Sequence, residues 1–256
     1  KTIELKKYKA TLPIMDIFNI SNFSDKIFTL ENVSYNSVRY TFENQDFVIH
    51  KQYELKNEDY IVQSDIEITK KTAEISDPEF SFFTIDQFLS DYKVQESDKS
   101  LLEYAVATPS NIYRKSNAFN FSEKDKNVQS GNVQWIGFRD RYFALIIKPS
   151  FNIQTVTSEI MERCLVRDTD NHYVIVQSEK ILTPTSCNEG NLQNQDAKHK
   201  YQWDNSFRTI FYPEKDKMEK NILKLSSTIY FGPQDLDRLK SYKQGFEEIM
   251  KFSNWG

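Results

Sequence analysis

The segment Trp135-Ile-Gly-Phe-Arg-Asp-Arg-Tyr-Phe-Ala-Leu-Ile-Ile-Lys-Pro149 carries the clearest structural pattern in this chain. It predicts two short strands within residues 134–148 that meet at a turn near residues 138–140. The second strand contains a nearly continuous apolar run over residues 142–147. A run of this kind is typical of a strand that is buried on both faces, so the segment predicts the centre of a β-sheet.

Residues 38–69 show a different pattern, in which apolar and polar side chains alternate with a period of two. The alternation predicts a hairpin around residues 44–46 and a third strand after a turn at residues 56–59. Together these strands form a meander with one buried face.

The remaining segments are less regular. Residues 81–92 fit either a short helix or a strand, and the polar residues 90–100, 116–131 and 188–200 predict exposed loops. Further strands are predicted at residues 153–160, 164–166, 173–178 and 207–212.

A final strand over residues 222–231 is predicted to end at Gly232-Pro233. Proline fits the first turn of a helix, because backbone N–H groups there have no acceptor within the helix and the missing N–H of proline costs no hydrogen bond. Asp235 and Asp237 would also lie in that first turn, where the helix dipole favours negative charge. The chain therefore predicts a strand followed directly by a helix.

This predicted helix carries an apolar stripe, and Gly245 is expected to end or bend it. The stripe either packs against a sheet or docks a partner, and packing is the simpler interpretation because an amphipathic helix beside a sandwich must bury its stripe. The candidate partner interface consists of Leu236, Leu239, Tyr242 and Phe246.

Composition narrows the class of protein. The 256 residues suit a single all-β unit, and 14% of them are aromatic whereas only 6 are glycine. The formal net charge of -4 argues against a nucleic-acid-binding surface. The longest apolar run, residues 142–147, is far shorter than the ~20 residues of a membrane-spanning helix.

The search for chemistry predicts no catalytic, cofactor-binding or metal-binding residues. His50, His172 and His199 lack the close spacing of a metal pair, and the chain contains no nucleophile elbow or glycine-rich phosphate loop. Carboxylates are abundant, but their pairing cannot be deduced from the sequence. Cys164 and Cys187 are compatible with a disulfide and equally with two free thiols.

Residues 135–149 and 229–256 together resemble the large extracytoplasmic domain of bacterial YidC-type membrane protein insertases. The resemblance rests on three features. Trp135 and Gly137 precede a strand that begins with Tyr-Phe, a later strand ends in Phe-Gly-Pro, and the chain ends in Trp255-Gly256. The signature residues that match are Trp135, Gly137, Tyr142, Phe143, Gly232, Pro233 and Trp255.

The resemblance implies a mainly β fold, a galactose-mutarotase-like β-supersandwich of antiparallel sheets with a C-terminal α-helix. It implies one periplasmic domain over residues 1–256, with residues 233–252 as its C-terminal helical segment, on the outer side of the bacterial inner membrane. No signal peptide is visible, and we expect an excised domain of a membrane-anchored protein, without the insertase bundle that lies in the membrane.

The resemblance also implies a role in the insertion and folding of inner-membrane proteins, with or without the Sec translocon. In that family the insertion of membrane proteins is attributed to the bundle of helices in the membrane. The domain itself is therefore expected to be non-catalytic and free of cofactors. Its implied partners are SecDF, SecYEG and nascent membrane proteins, which it would bind as a chaperone-like module.

Two other classes of function remain open. Because the family's fold is similar to that of mutarotases, one alternative is a carbohydrate-binding or epimerase domain. Such a domain would need convergent His and Glu side chains, and His50 and His172 are the histidines on predicted strands. For His50 a surface position is simpler, because it follows Ile49 on an alternating strand. The other class is a periplasmic scaffold or adhesin-like module unrelated to insertion.

Overall fold

The computed structural model describes residues 16–18, 28–56, 59–72, 81–86, 103–116, 127–139, 142–167, 173–175, 201–213 and 221–250. The strands in these ranges, numbered along the chain, are β1 (Asp16–Phe18), β2 (Thr29–Val33), β3 (Ser37–Glu43), β4 (Phe47–Leu55), β5 (Ile61–Lys70), β6 (Ser81–Asp86), β7 (Glu103–Ala107), β8 (Ile112–Ser116), β9 (Asn127–Ser130), β10 (Trp135–Arg139), β11 (Phe143–Pro149), β12 (Ile153–Arg167), β13 (Tyr173–Ile175), β14 (Tyr201–Pro213) and β15 (Ile222–Pro233).

Nine strands form the larger sheet, in the order β2-β3-β4-β5-β15-β11-β10-β7-β8, and all neighbours are antiparallel. The predicted meander is confirmed as β3, β4 and β5, and the predicted pair of strands in the first signature segment as β10 and β11. β15 lies in the middle of the sheet, because it pairs with β5 on one side and with β11 on the other.

The second sheet has six strands: five in the order β1-β6-β14-β12-β13, and β9, which pairs with residues 155–158 of β12, whereas β13 pairs with residues 165–167. Residues 153–160 and 164–166, which we predicted as two strands, belong to the single long strand β12. The predicted loop over residues 116–131 is wrong at residues 127–130, which form β9. β7 and β8 were not predicted at all. The predicted insert at residues 188–200 lies outside the described residues.

The two sheets pack face to face. Val156 of β12 and Phe211 of β14 belong to the same buried cluster as Ile49, Ile68 and Phe138 of the nine-stranded sheet. Since an antiparallel sheet exposes alternate residues to each face, these side chains define the inner face of a β-sandwich. The mainly β, antiparallel fold class is therefore confirmed.

The opposite face of the nine-stranded sheet is also buried, and we call it the helix-covered face. Its strand residues are Ile61, Ala105, Ala107, Trp135, Ala144, Ile146 and Tyr230, and they pack against Leu239, Phe246 and Ile249. In β11, Ala144 and Ile146 lie on this face whereas Leu145 and Ile147 lie in the sandwich. The prediction that this strand is buried on both faces is confirmed.

The residues after β15 form helix α1 (Leu236–Ser241) and a short 3-10 helix (Phe246–Ile249). The prediction that Pro233 lies in the first helical turn is wrong, because Pro233 still pairs with Phe143 of β11. Instead Asp235 caps the helix, and its carboxylate accepts a hydrogen bond from the N–H of Arg238 at 3.1 Å. No helix among the described residues is both long and apolar enough to cross a lipid bilayer.

Candidate functional site

Trp135 and Gly137 support the contact between β10 and the 3-10 helix. Trp135 is buried in the helix-covered face, and its ring lies beside Gly137. A Cβ atom at Gly137 would overlap Cδ1 of Ile249 and would lie 3.2 Å from Cζ3 of Trp135. Glycine at this position leaves room for the side chain of Ile249, through which the 3-10 helix contacts β10.

Gly232 makes room for an aromatic ring at the end of β15. A Cβ atom there would lie 2.5 Å from Cγ of Tyr60, which packs on the bare backbone. The other neighbours of the Tyr60 ring are Tyr230, with ring centroids 6.2 Å apart, and the guanidinium of Arg238, 4.9 Å from the ring centroid. The second signature glycine thus fixes the turn before β5 against the start of the helical segment.

Hydrogen bonds hold the passage from β15 to helix α1. The hydroxyl of Tyr230 donates to the carbonyl of Pro233 at 2.5 Å. The backbone N–H of Gln234 donates to the carbonyl of Tyr142 at 2.8 Å, and its side-chain amide donates to the carbonyl of Phe143 at 3.3 Å. The signature residues Tyr142, Phe143 and Pro233 therefore meet at one place. Trp255 lies outside the described residues.

The predicted stripe of the helix packs against the sheet. Leu239 and Phe246 are fully buried in the helix-covered face, whereas Leu236 and Tyr242 are half-buried. A partner could reach Leu239 and Phe246 only by displacing the helical segment. The part of the candidate interface that remains accessible consists of Leu236 and Tyr242.

Tyr242 links the helical segment to the turn before β5. Its hydroxyl donates a hydrogen bond to the carboxylate of Asp59, which lies 3.8 Å from the guanidinium of Arg238. Burial raises the pKa of Tyr242 to about 12, and the charge of Asp59 acts in the same direction. Tyr242 is therefore a neutral hydrogen-bond donor over the physiological pH range.

A buried ion-pair network fixes the other end of the helical segment. Both carboxylate oxygens of Glu103 are paired, one with Arg114 and one with Arg139, each at 2.9 Å. The Glu103 side chain is only 5% exposed. Burial opposes its ionisation, but hydrogen bonds and charge from Arg139 and Arg114 outweigh this and hold the pKa of Glu103 below its ordinary value.

Arg114 extends this network into the helical segment, because it also donates to the backbone carbonyls of Glu248 and Ile249, the latter at 3.1 Å. These are carbonyls at the end of the 3-10 helix, where the helix itself supplies no donors. The sequence did not reveal this site, since nothing distinguishes Glu103, Arg114 and Arg139 from solvated charges until the sheet brings them together.

Of the three histidines, the structure describes His50. His50 lies on the face of β4 opposite Ile49, so its side chain points away from the sandwich interior. Its Nδ1 atom lies 2.8 Å from Oγ1 of Thr41 and 3.4 Å from the carboxylate of Glu31. His172 and His199 fall outside the described residues.

Within the ranges given above, no group of three or more His, Cys, Asp or Glu side chains could hold a metal ion. The arrangement on the helix-covered face instead serves packing: glycines admit close approach, and buried charges and tyrosines fix the C-terminal helical segment to the sheet.

Comparison with solved structures finds proteins described as an aldose 1-epimerase and as related to galactose mutarotase. A protein assigned as an aldose 1-epimerase from Escherichia coli K12 is 7% identical with a TM-score of 0.44, over 80% of this chain and 68% of that one. A galactose mutarotase related enzyme from Lactobacillus acidophilus is 8% identical with a TM-score of 0.42, over 81% and 72%. Identities this low carry no information about activity.

No match is found among curated protein sequences. A family model does match, however, and it is the model of the YidC periplasmic domain, over residues 21–179. The match spans more than half of the chain and includes the first signature segment, with Trp135 and Gly137. The chain belongs to the family of YidC periplasmic domains.

Proposed function

We propose that this chain is a non-catalytic extracytoplasmic domain of a membrane protein insertase, and that it assists the insertion and folding of inner-membrane proteins with or without the Sec translocon. Family membership supports this location. The domain would act through surface contacts with SecDF, SecYEG or nascent membrane proteins, and it would need no cofactor.

The observation that carries the proposal is the attachment of the C-terminal helical segment to the sheet. Both signature segments converge there, through Gly137 against Ile249 and through Phe143 paired with Pro233. Arg114 closes the contact by joining Glu103 to the carbonyl of Ile249. The described signature residues pack against the helical segment, as is expected in a rigid binding module.

Photocrosslinking in the membrane-embedded protein tests the proposed partners. A photoreactive amino acid at Leu236, one of the two half-buried residues of the stripe, should give adducts with Sec components or nascent membrane proteins. The matched control is Gln45, an exposed turn residue at the opposite end of the sheet, which should give none. If Leu236 and Gln45 behaved alike, this part of the helix would not be the partner surface.

The rival carbohydrate function is tested on the isolated domain. Titration with simple hexoses by calorimetry, together with an epimerase assay, should show neither saturable binding nor turnover. Saturable hexose binding that persists after His50→Ala would place a sugar site elsewhere in the domain and would contradict a purely protein-binding role.

A further inference from the structure

Three consecutive turns at one end of the nine-stranded sheet each contain an exposed or partly exposed tyrosine. Tyr35 lies in the turn between β2 and β3, Tyr60 in the turn between β4 and β5, and Tyr142 in the turn between β10 and β11. The strand register places all three at the same end, because β3, β5 and β11 begin there and β15 ends there. We call this the tyrosine end.

The tyrosines are unusually accessible for aromatic residues. Tyr35 is 99% exposed, Tyr142 is 58% exposed and Tyr60 is 40% exposed. Other large apolar side chains that are exposed in the described residues also cluster there, and they are Val33, Leu55 and Phe231. Leu30, further along β2, is the remaining one. Such concentration of exposed apolar surface marks a contact site rather than ordinary surface.

The opposite end of the same sheet is different. Its described turns between paired strands contain Asn44-Gln-Asp46, between β3 and β4, and Thr108-Pro-Ser-Asn111, between β7 and β8. Polar side chains are the usual composition of hairpin turns. The contrast between the two ends shows that the tyrosines are not a general property of the turns in this fold.

The shape of the tyrosine end suits a flat partner. Tyr35 and Tyr142 are the more exposed of the three, and Tyr60 lies between them against the backbone of Gly232. The row from Tyr35 to Tyr142 crosses five strand spacings, or about 24 Å at ~4.8 Å each. Exposed side chains in separate turns along one end of a sheet can contact a plane together. Tyrosine is also enriched at the boundary between lipid and water, where the ring is buried and the hydroxyl stays hydrated.

Among the described residues of the tyrosine end, two basic side chains are paired with acidic ones, and the exposed Asp235 and Asp237 lie there as well. Lys56 lies 3.0 Å from Glu54, and Arg238, which stacks on Tyr60, lies 3.8 Å from Asp59. An electrostatic attraction to anionic lipid would need an excess of basic residues. The tyrosine end therefore matches the uncharged part of the lipid interface rather than its anionic headgroups.

We propose that the tyrosine end rests on the phospholipid surface of the membrane, with Tyr35 and Tyr142 inserted at headgroup level. The proposal relies on the extracytoplasmic, membrane-adjacent location given under the proposed function, but it requires no protein partner. In this orientation the strands of the nine-stranded sheet run away from the lipid. The polar turns at residues 44–46 and 108–111 lie at the end that is farthest from the membrane.

Fluorescence quenching tests this orientation. The domain is attached through a C-terminal histidine tag to nickel-chelating lipid in phosphatidylcholine vesicles, with and without brominated phosphatidylcholine as the quencher. Tyr35→Trp and Tyr142→Trp place the probe at the tyrosine end, and Gln45→Trp is the matched control at the polar end. All three positions are exposed, so the substitutions leave the core unchanged.

The emission of the parent domain, which has three tryptophans, is subtracted from that of each variant. Brominated lipid should then quench the added tryptophan at positions 35 and 142 about twofold more than at position 45, as expected for residues at the lipid interface. The difference should persist at high salt and should not require phosphatidylglycerol. Equal quenching at both ends, or a difference that vanishes at high salt, would overturn the proposal. The crosslinking at Leu236 does not depend on this outcome, so the two proposals can fail separately.

Discussion

Replacement of Leu239 by alanine should lower the melting temperature of the domain, because this side chain joins helix α1 to the nine-stranded sheet. Leu239 is fully buried and belongs to the cluster of Trp135, Tyr230 and Phe246. Alanine retains a high helix propensity, so the substitution removes packing without weakening the helix itself.

The expected size follows from complete burial. A buried Leu→Ala change costs about 2 to 5 kcal/mol, depending on how far the cavity collapses, and about 3 kcal/mol is reasonable beside the rigid rings of Trp135 and Tyr230. For a domain of this size, each kcal/mol lowers the melting temperature by about 2 to 4 °C, so a fall of about 6 to 12 °C is expected. Leu239→Asp should cost more, because it buries an unpaired charge.

Thermal unfolding followed by circular dichroism measures the effect, and urea unfolding gives the free energy. The matched control is Leu236→Ala, one turn earlier in the same helix, where the leucine is only half-buried and the loss should be clearly smaller. The packing argument would be refuted by Leu239→Ala with an unchanged melting curve. If the same variant also lost partner binding, Leu239 would belong to an interface instead.

Three further changes concern the contacts around the helical segment. Gly137→Ala should destabilise the domain by about 1 to 3 kcal/mol through overpacking against Ile249, and Ile249→Val, which removes Cδ1, should partly rescue it in a double-mutant melting series. Glu103→Gln should cost about 3 kcal/mol by leaving its arginines without their buried partner. The pKa of Glu103 is lower in the folded domain than its ordinary 4.5, so its contribution is present above that pH and is lost on acidification; acid titration of stability should be shallower in the variant. Tyr242→Phe should cost about 1 kcal/mol at neutral pH. Because folding raises the pKa of Tyr242 from 10.0 to about 12, the wild type should lose this stabilisation as the pH rises through that range, and the variant should not.

The strands with regular side-chain patterns could be predicted from the sequence. β3, β4 and β5 alternate because one face contacts the sandwich core, and β11 is continuously apolar because both of its faces are covered. Helix α1 follows from Asp235 and the apolar stripe. Its start was misplaced because Pro233, although suited to a first helical turn, pairs with Phe143 at the end of β15.

β7 could not be recognised in the same way. All five of its residues are buried, but one of them is Glu103, whose charge suggests a solvated position. Glu103 pairs with Arg139, which is 36 residues further along the chain. Its other partner, Arg114, also donates to the carbonyl of Ile249, which is 135 residues beyond Arg114. Pairing over such distances is set by the folded sheet and leaves no local pattern in the sequence. The turn at residues 108–111 was the one available signal for the hairpin of β7 and β8.

The central position of β15 sets the order in which the domain can be completed as the chain is synthesised. β5 and β11 both need β15 as a neighbour, yet β15 follows every other described strand along the chain. Until residues 222–233 emerge, the chain holds two partial sheets, each with an open hydrogen-bonding edge at what will become the centre. Open edges pair readily with other chains, so aggregation is the main hazard of this late interval. A product truncated before residue 222 should therefore aggregate rather than form a smaller stable domain.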